Sequence, residues 1–146
     1  MATVSGTVNL RWVGSHLMTG IDSRGNPLVV GTWPEHNPPW LGLKASDLLL
    51  LSAASCASYD VIEILAKQRQ PLQGLEVSCT GEQESEPPYK FVHIHLHYLV
   101  RGDIAKEKVV RAIQLSEDKY CCVTNTLRDV VKITSDFEVV RQDEEP

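Results

Sequence analysis

The chain has 146 residues, one domain's worth of polypeptide, and its 42% hydrophobic and 23% charged residues are the mixture of a folded protein, not a disordered one. A formal net charge of -5 and a pI of about 5.5 exclude a broad basic face for nucleic acid or anionic lipid. No basic segment followed by an apolar run opens the sequence, and no uncharged apolar stretch reaches about 18 residues, so neither a secretory signal nor a membrane span is expected and the expected compartment is cytoplasmic.

The first third reads as strands. Val4, Val8, Leu10 and Trp12 alternate along Thr3–Trp12, a turn follows at Gly14-Ser15-His16, and Leu17–Asp22 returns. Arg24-Gly25-Asn26-Pro27 is turn chemistry, because Gly and Asn accept positive φ and Pro fixes its own. Leu28–Trp33 is a third strand, and Pro34, Pro38 and Pro39 beside Trp40 mark a loop. The clearest element is a helix from Ser46 to about Gln68, with Ser46 as N-cap, Asp47 in the first turn and Lys67 and Arg69 at the negative end. From Leu48 to Leu65 it is apolar nearly all round, the pattern of a helix buried on most sides. So small a subunit cannot readily enclose such a helix alone, which points to a homodimer packed around it.

Leu75–Glu82 and Phe91–Val100 read as a hairpin. In the second strand Val92, Ile94, Leu96, Tyr98 and Val100 take one face, and His93, His95 and His97 the other. Gly102-Asp103 supplies a turn and cap, Ile104–Leu115 is an amphipathic helix, and Ser116–Tyr120 interrupts it. A short helix over Cys122–Val131 and a strand over Lys132–Arg141 precede the acidic tail Asp143-Glu144-Glu145. The strands fall in antiparallel-looking groups without β-α-β alternation, which makes the class α+β, in one domain over residues 1–146.

Two constellations carry possible chemistry. The three histidines stand about 6.5–7 Å apart along a strand, but no flanking carboxylate completes a metal set, so a polar face is expected and no metal. Four cysteines, Cys56, Cys79, Cys121 and Cys122, form no C-x-x-C pair, and the adjacent pair is poorly placed for one zinc. Cys79 is expected to be packed. Cys56 lies deep in the long helix, far from its N-terminus and beside Asp60 and Glu63, so an external donor or cation would have to lower its pKa.

The run Asp47-Leu48-Leu49-Leu50-Leu51-Ser52-Ala53-Ala54-Ser55-Cys56 resembles the central-helix motif of the osmotically-induced-protein-C and organic-hydroperoxide-resistance (OsmC/Ohr) family. Leu115-Ser116-Glu117-Asp118-Lys119-Tyr120-Cys121-Cys122-Val123-Thr124 is similar to its second motif, in which the cysteine is typically followed by Pro. Here Cys121 takes the cysteine position and Cys122 that of the proline, where it either substitutes for Cys121 or fills the proline's space. The helix start there leaves amides free, which favours a Cys121 thiolate, and helical periodicity points Cys122 about 100° away from Cys121. Trp12, the turn at Gly25, Lys67–Gly81 and Tyr98–Gly102 extend the resemblance over nearly the whole chain.

The resemblance implies an intertwined homodimer of α+β subunits with a long central helix. It implies a thiol peroxidase in which Cys56 attacks an organic hydroperoxide and becomes a sulfenic acid, Cys121 condenses with it to a disulfide, and a dithiol reduces that. Family peroxidases hold the reactive thiolate with a Glu at the start of the central helix, where this chain has Asp47. They add an Arg from the N-terminal strand region, where this chain offers Arg11 and Arg24, neither in a matching motif, and has His16 or His36 at the place expected for that Arg. The expected catalytic residues are Cys56, Cys121 and Asp47, with no cofactor. A second reading stays open, a non-catalytic dimer of the same fold that binds a small apolar ligand and carries its cysteines incidentally.

Overall fold

The computed structural model describes residues 1–31 and 42–141, which form two compact units, Met1–Leu49 and Leu50–Pro146. Trp33, the prolines and Trp40 of the expected loop, His36 and the acidic tail lie outside the described residues.

The first unit is a three-stranded antiparallel meander, β1 (Asn9–Gly14), β2 (Leu17–Ile21) and β3 (Pro27–Val30). Its second turn is held by Asp22, whose carboxylate accepts from the Arg24 and Asn26 amides, both at 2.8 Å, and from the Asn26 side chain. These bonds, led by that to the Asn26 side chain, hold the Asp22 carboxyl below its usual range. The first strand is shorter than its alternation predicts. Among the described residues, 3–8 pair with no strand, and Val4 and Val8 are exposed. Alternation marks a face but supplies no partner for the backbone, and β2 ends opposite Asn9.

Helix α1 (Ala45–Lys67) runs from this unit into the second. It begins one residue before the expected cap, with the Lys44 carbonyl accepting from the Asp47 and Leu48 amides. Ser46 is thus inside the first turn, and its buried hydroxyl has no partner among the described residues. By length and composition α1 could cross a membrane, but Ala53, Ala54, Ala57, Val61, Ile64 and Leu65 are buried within the protein. Burial covers one face only. Leu51, Tyr59 and Ile62 are exposed, so the expectation of a helix enclosed on most sides is not met within one chain.

The second unit is built on β4 (Gly74–Gln83), β5 (Phe91–Arg101) and β6 (Lys132–Val140), in that order. β4 and β5 form the expected hairpin, with Val77 opposite Tyr98 and Cys79 opposite Leu96. β6 pairs parallel to β5, which the sequence reading had not foreseen. A parallel neighbour needs a crossover that returns the chain to the same end of the sheet. Residues 102–131 provide it, as α2 (Lys106–Leu115), a π turn (Ser116–Tyr120) and α3 (Cys122–Leu127). Both helices of this crossover are shorter than expected. α2 starts after Ala105, not at an Asp103 cap, and α3 ends at Leu127, leaving Val130 exposed.

The core joins α1 to this sheet and crossover. Val61 and Leu65 share a cluster with Leu96, Tyr98, Val100, Ile104, Val109 and Ala112, all essentially inaccessible. Each large aliphatic side chain so buried contributes about 1.5–3 kcal/mol. The cluster also contains Cys121, and Cys56 packs against it, so the packing that stabilises the unit fixes both thiols.

On the opposite face the three histidines form a ladder with β6. His93 Nε2 and His95 Nδ1 each lie 2.7 Å from Thr134 Oγ1, and Asp136 Oδ1 is 3.1 Å from His95 Nε2 and 2.6 Å from His97 Nδ1. Bonding from His97, then His95, holds the Asp136 carboxyl below its usual range. The carboxylate partner absent from the flanking sequence is thus supplied by the neighbouring parallel strand.

Candidate active site

Three cysteines converge where α1 meets the start of α3. Cys56 Sγ is 3.8 Å from Cys122 Sγ. The sulfurs of Cys56 and Cys121 and a carboxylate oxygen of Asp60 all lie within 4.8 Å of one another. Cys121 is fully buried, Cys56 half-buried and Cys122 exposed.

Local backbone geometry explains how adjacent residues reach one target. Two neighbours inside an α-helix would diverge by about 100°. Cys121 is not inside one. It is the N-cap of α3, with extended φ -69° and ψ 103°, and its sulfur accepts from the Thr124 amide at 3.5 Å. The chain turns between the two residues, so Cys121 points into the core while Cys122, the first helical residue, also approaches Cys56. The preceding π turn places this cap, with the Cys121 amide donating to the Ser116 carbonyl at 2.8 Å. Asn125 clamps the junction by donating to the carbonyls of Glu117 and Cys121.

The same junction supplies the donor that Cys56 lacks on its own helix. Burial pushes the Cys56 thiol up, but the Val123 amide, the thiols of Cys121 and Cys122 and the Cys122 amide all donate to it, and the net effect is a lowered pKa. The partners move the other way. Burial raises Cys121, and Cys122 is raised first by its hydrogen bond to Cys56 and then by that residue's charge. Together these directions make Cys56 the most readily ionised of the three, with the adjacent pair as its donors. Cys79, half-buried on β4, is raised by burial alone.

Asp60 is one turn beyond Cys56 on α1 and accepts from the buried Ser116 hydroxyl at 2.9 Å. Tyr98 is fully buried, and its hydroxyl has no hydrogen-bond partner among the described residues. Burial and then the charges of Glu117, Cys121, Cys79 and Asp60 drive its pKa far up, so it is a neutral wall of the site.

Of the residues expected from sequence, Cys56 and Cys121 are brought together. Asp47 stands in the first turn of α1, exposed, with an oxygen 3.8 Å from Lys44 Nζ. Arg11 is on β1 opposite Thr19, and Arg24 lies in the turn capped by Asp22. The sequence reading missed the Cys122 and Val123 amides as the donors. The signal was present in the helix start at Cys122, but it was assigned to activating Cys121.

Known proteins share the fold that carries this site. The OsmC-like protein family matches residues 37–136. Protein YhfA of Escherichia coli K12 is 34% identical over 132 residues, which cover 90% of this chain and 96% of YhfA. An OsmC-like protein from Mycoplasma pneumoniae superposes with a TM-score of 0.82 at 17% identity, covering 95% of this chain and 99% of its own. A Legionella pneumophila structure, described as an organic hydroperoxide resistance protein OsmC and predicted redox protein, gives 0.71 at 14%, covering 95% and 100%. The structural likenesses show the α+β fold that the sequence motifs imply, and the family match with the YhfA relation settles membership: the chain belongs to the OsmC-like protein family.

Proposed function

We propose that this protein is a cysteine-based peroxidase for organic hydroperoxides. The observation that carries the reading is the convergence of Cys56, Cys121 and Cys122, with amides and thiols aimed at Cys56. Cys56 thiolate attacks the outer peroxide oxygen, the O–O bond breaks, and the alkoxide leaves and takes a proton. Cys56 becomes a sulfenic acid, oxidised by two electrons. The Cys121 thiol then attacks that sulfur, releasing water and closing a disulfide, and an external dithiol returns the site to its reduced form. Asp47 retains a positioning role in this proposal, at the end of α1 where the family peroxidases carry Glu. No metal or cofactor enters, and a reducing cytoplasm suits a site that must begin as free thiols. The apolar surroundings of Cys56 favour an organic peroxide over hydrogen peroxide.

Treating reduced protein with one equivalent of cumene hydroperoxide tests this directly. Two of the four thiols are expected to disappear together, with Cys56 among them. Retention of all four in folded protein overturns the peroxidase and leaves the non-catalytic apolar-ligand binder.

The working unit we propose is a homodimer. The exposed stripe of Leu51, Tyr59 and Ile62 is the side of α1 that one chain leaves uncovered, and a second copy would bury it. Sedimentation at micromolar concentration is expected to give twice the 16.3 kDa chain mass. Ile62→Glu, which sets a charge in that stripe, is expected to shift the protein to monomer or to unfold it. A folded wild-type monomer at that concentration rules the dimer out.

A further inference from the structure

We propose that Cys122 is a transfer thiol, which carries the disulfide from the buried Cys121 to the protein surface for reduction. The proposal rests on the peroxidase reading only for the source of the oxidising equivalents.

A disulfide between Cys56 and Cys121 is hard to reduce from outside. Cys121 is fully buried, so a reductant cannot reach its sulfur. Attack on the half-buried Cys56 sulfur expels Cys121, a poor leaving group because burial raises its pKa, so the step favours a thiol already held beside Cys56 over one that must arrive from solution. Cys122 is such a thiol. It is exposed, and its sulfur lies 3.8 Å from Cys56 Sγ, close enough to exchange after a small movement. The extended cap at Cys121 lets both neighbours address the same sulfur.

The step balances without any external oxidant. Cys122 gives up its proton and attacks Cys56 Sγ. The Cys56–Cys122 bond forms as the Cys56–Cys121 bond breaks, and Cys121 leaves with the electron pair and takes up a proton. An external dithiol then attacks the exposed Cys122 sulfur and expels Cys56 as a thiolate, which the Val123 and Cys122 amides stabilise. The second thiol of the reductant closes its own disulfide and releases Cys122 as a thiol. Two electrons pass from reductant to protein, and Cys121 has been returned to its reduced state in the interior.

The test forms the disulfide with diamide, so it does not depend on peroxide chemistry. Protein quenched in acid is alkylated and mapped by peptide mass spectrometry. Wild type is expected to yield both Cys56–Cys121 and Cys56–Cys122 linkages, and Cys121→Ser to yield Cys56–Cys122. Serine retains an acceptor at the α3 cap, and the wild-type map needs no substitution at all. Cys122→Ser is expected to hold Cys56–Cys121 and to be re-reduced by dithiothreitol about tenfold or more slowly than wild type. Re-reduction of Cys122→Ser at the wild-type rate overturns the relay, as does absence of any Cys56–Cys122 linkage in wild type. If Cys56 ignores cumene hydroperoxide while the diamide results hold, the peroxidase reading fails and the relay stands.

Discussion

Cys56→Ser is expected to lower organic hydroperoxide consumption by about a thousandfold or more, to the rate of bulk thiols. Serine keeps the size and the helix position, but its hydroxyl is not ionised near neutral pH and cannot use the donors that converge there. Cys79 and Cys121 do not substitute, because burial raises both. The pH profile distinguishes a nucleophile from a structural thiol. Cys56 is lowered by donors that favour its thiolate, so the wild-type rate rises with pH through a value below the ordinary thiol range and is then flat. Stopped-flow consumption of cumene hydroperoxide across pH 5–10 measures this. A rate that keeps climbing through the ordinary thiol range would show that the amides of Val123 and Cys122 do not hold the thiolate.

Gly102→Ala is expected to cost about 3 kcal/mol of stability and roughly 10 °C in Tm. Gly102 ends β5 at φ 139°, a backbone conformation that side chains rarely adopt, and a Cβ there would sit 2.4 Å from the Pro71 carbonyl oxygen. That oxygen cannot swing aside, because the neighbouring backbone is pinned by the Gln73 amide donating to the Arg101 carbonyl and the Gly102 amide to Val140. Gly25 makes a control. Its φ is also positive, at 87°, but nothing lies within 4 Å of an added Cβ, so Gly25→Ala should cost only about 1 kcal/mol. Thermal unfolding of both variants by circular dichroism checks the order, and equal losses would contradict the steric argument.

The elements that could be read from sequence are those whose pattern is set by their own residues. The β4–β5 hairpin announces itself by alternation, and Ile94, Leu96, Tyr98 and Val100 are indeed the buried set. Val92, placed on the same face, is exposed near the strand end, where the core no longer covers it. What escaped the reading is set by partners distant in sequence. The parallel pairing of β6 leaves no local mark, since Ile133, Phe137 and Val139 alternate in either orientation. The family motifs located Cys56 and Cys121, but periodicity sent Cys122 the wrong way, because a helical turn angle was applied across a residue that is extended. The donors to Cys56 are main-chain N–H groups, which every residue but proline carries, so residue types could not reveal them.

The meeting of Cys56 and Cys122 across 66 residues of chain has a thermodynamic consequence beyond chemistry. A covalent link closing a loop of that length removes enough freedom from the unfolded chain to favour the native state by about 4 kcal/mol. The proposed peroxidase cycle would then alternate the protein between a tighter oxidised form and a looser reduced one, with the resting, reduced state as the weaker fold. Reciprocity demands that folding favour disulfide closure by the same amount relative to the unfolded chain. The same disulfide is therefore expected to be easier to reduce in the unfolded chain than in the native one, so denaturant and reductant would act on it together.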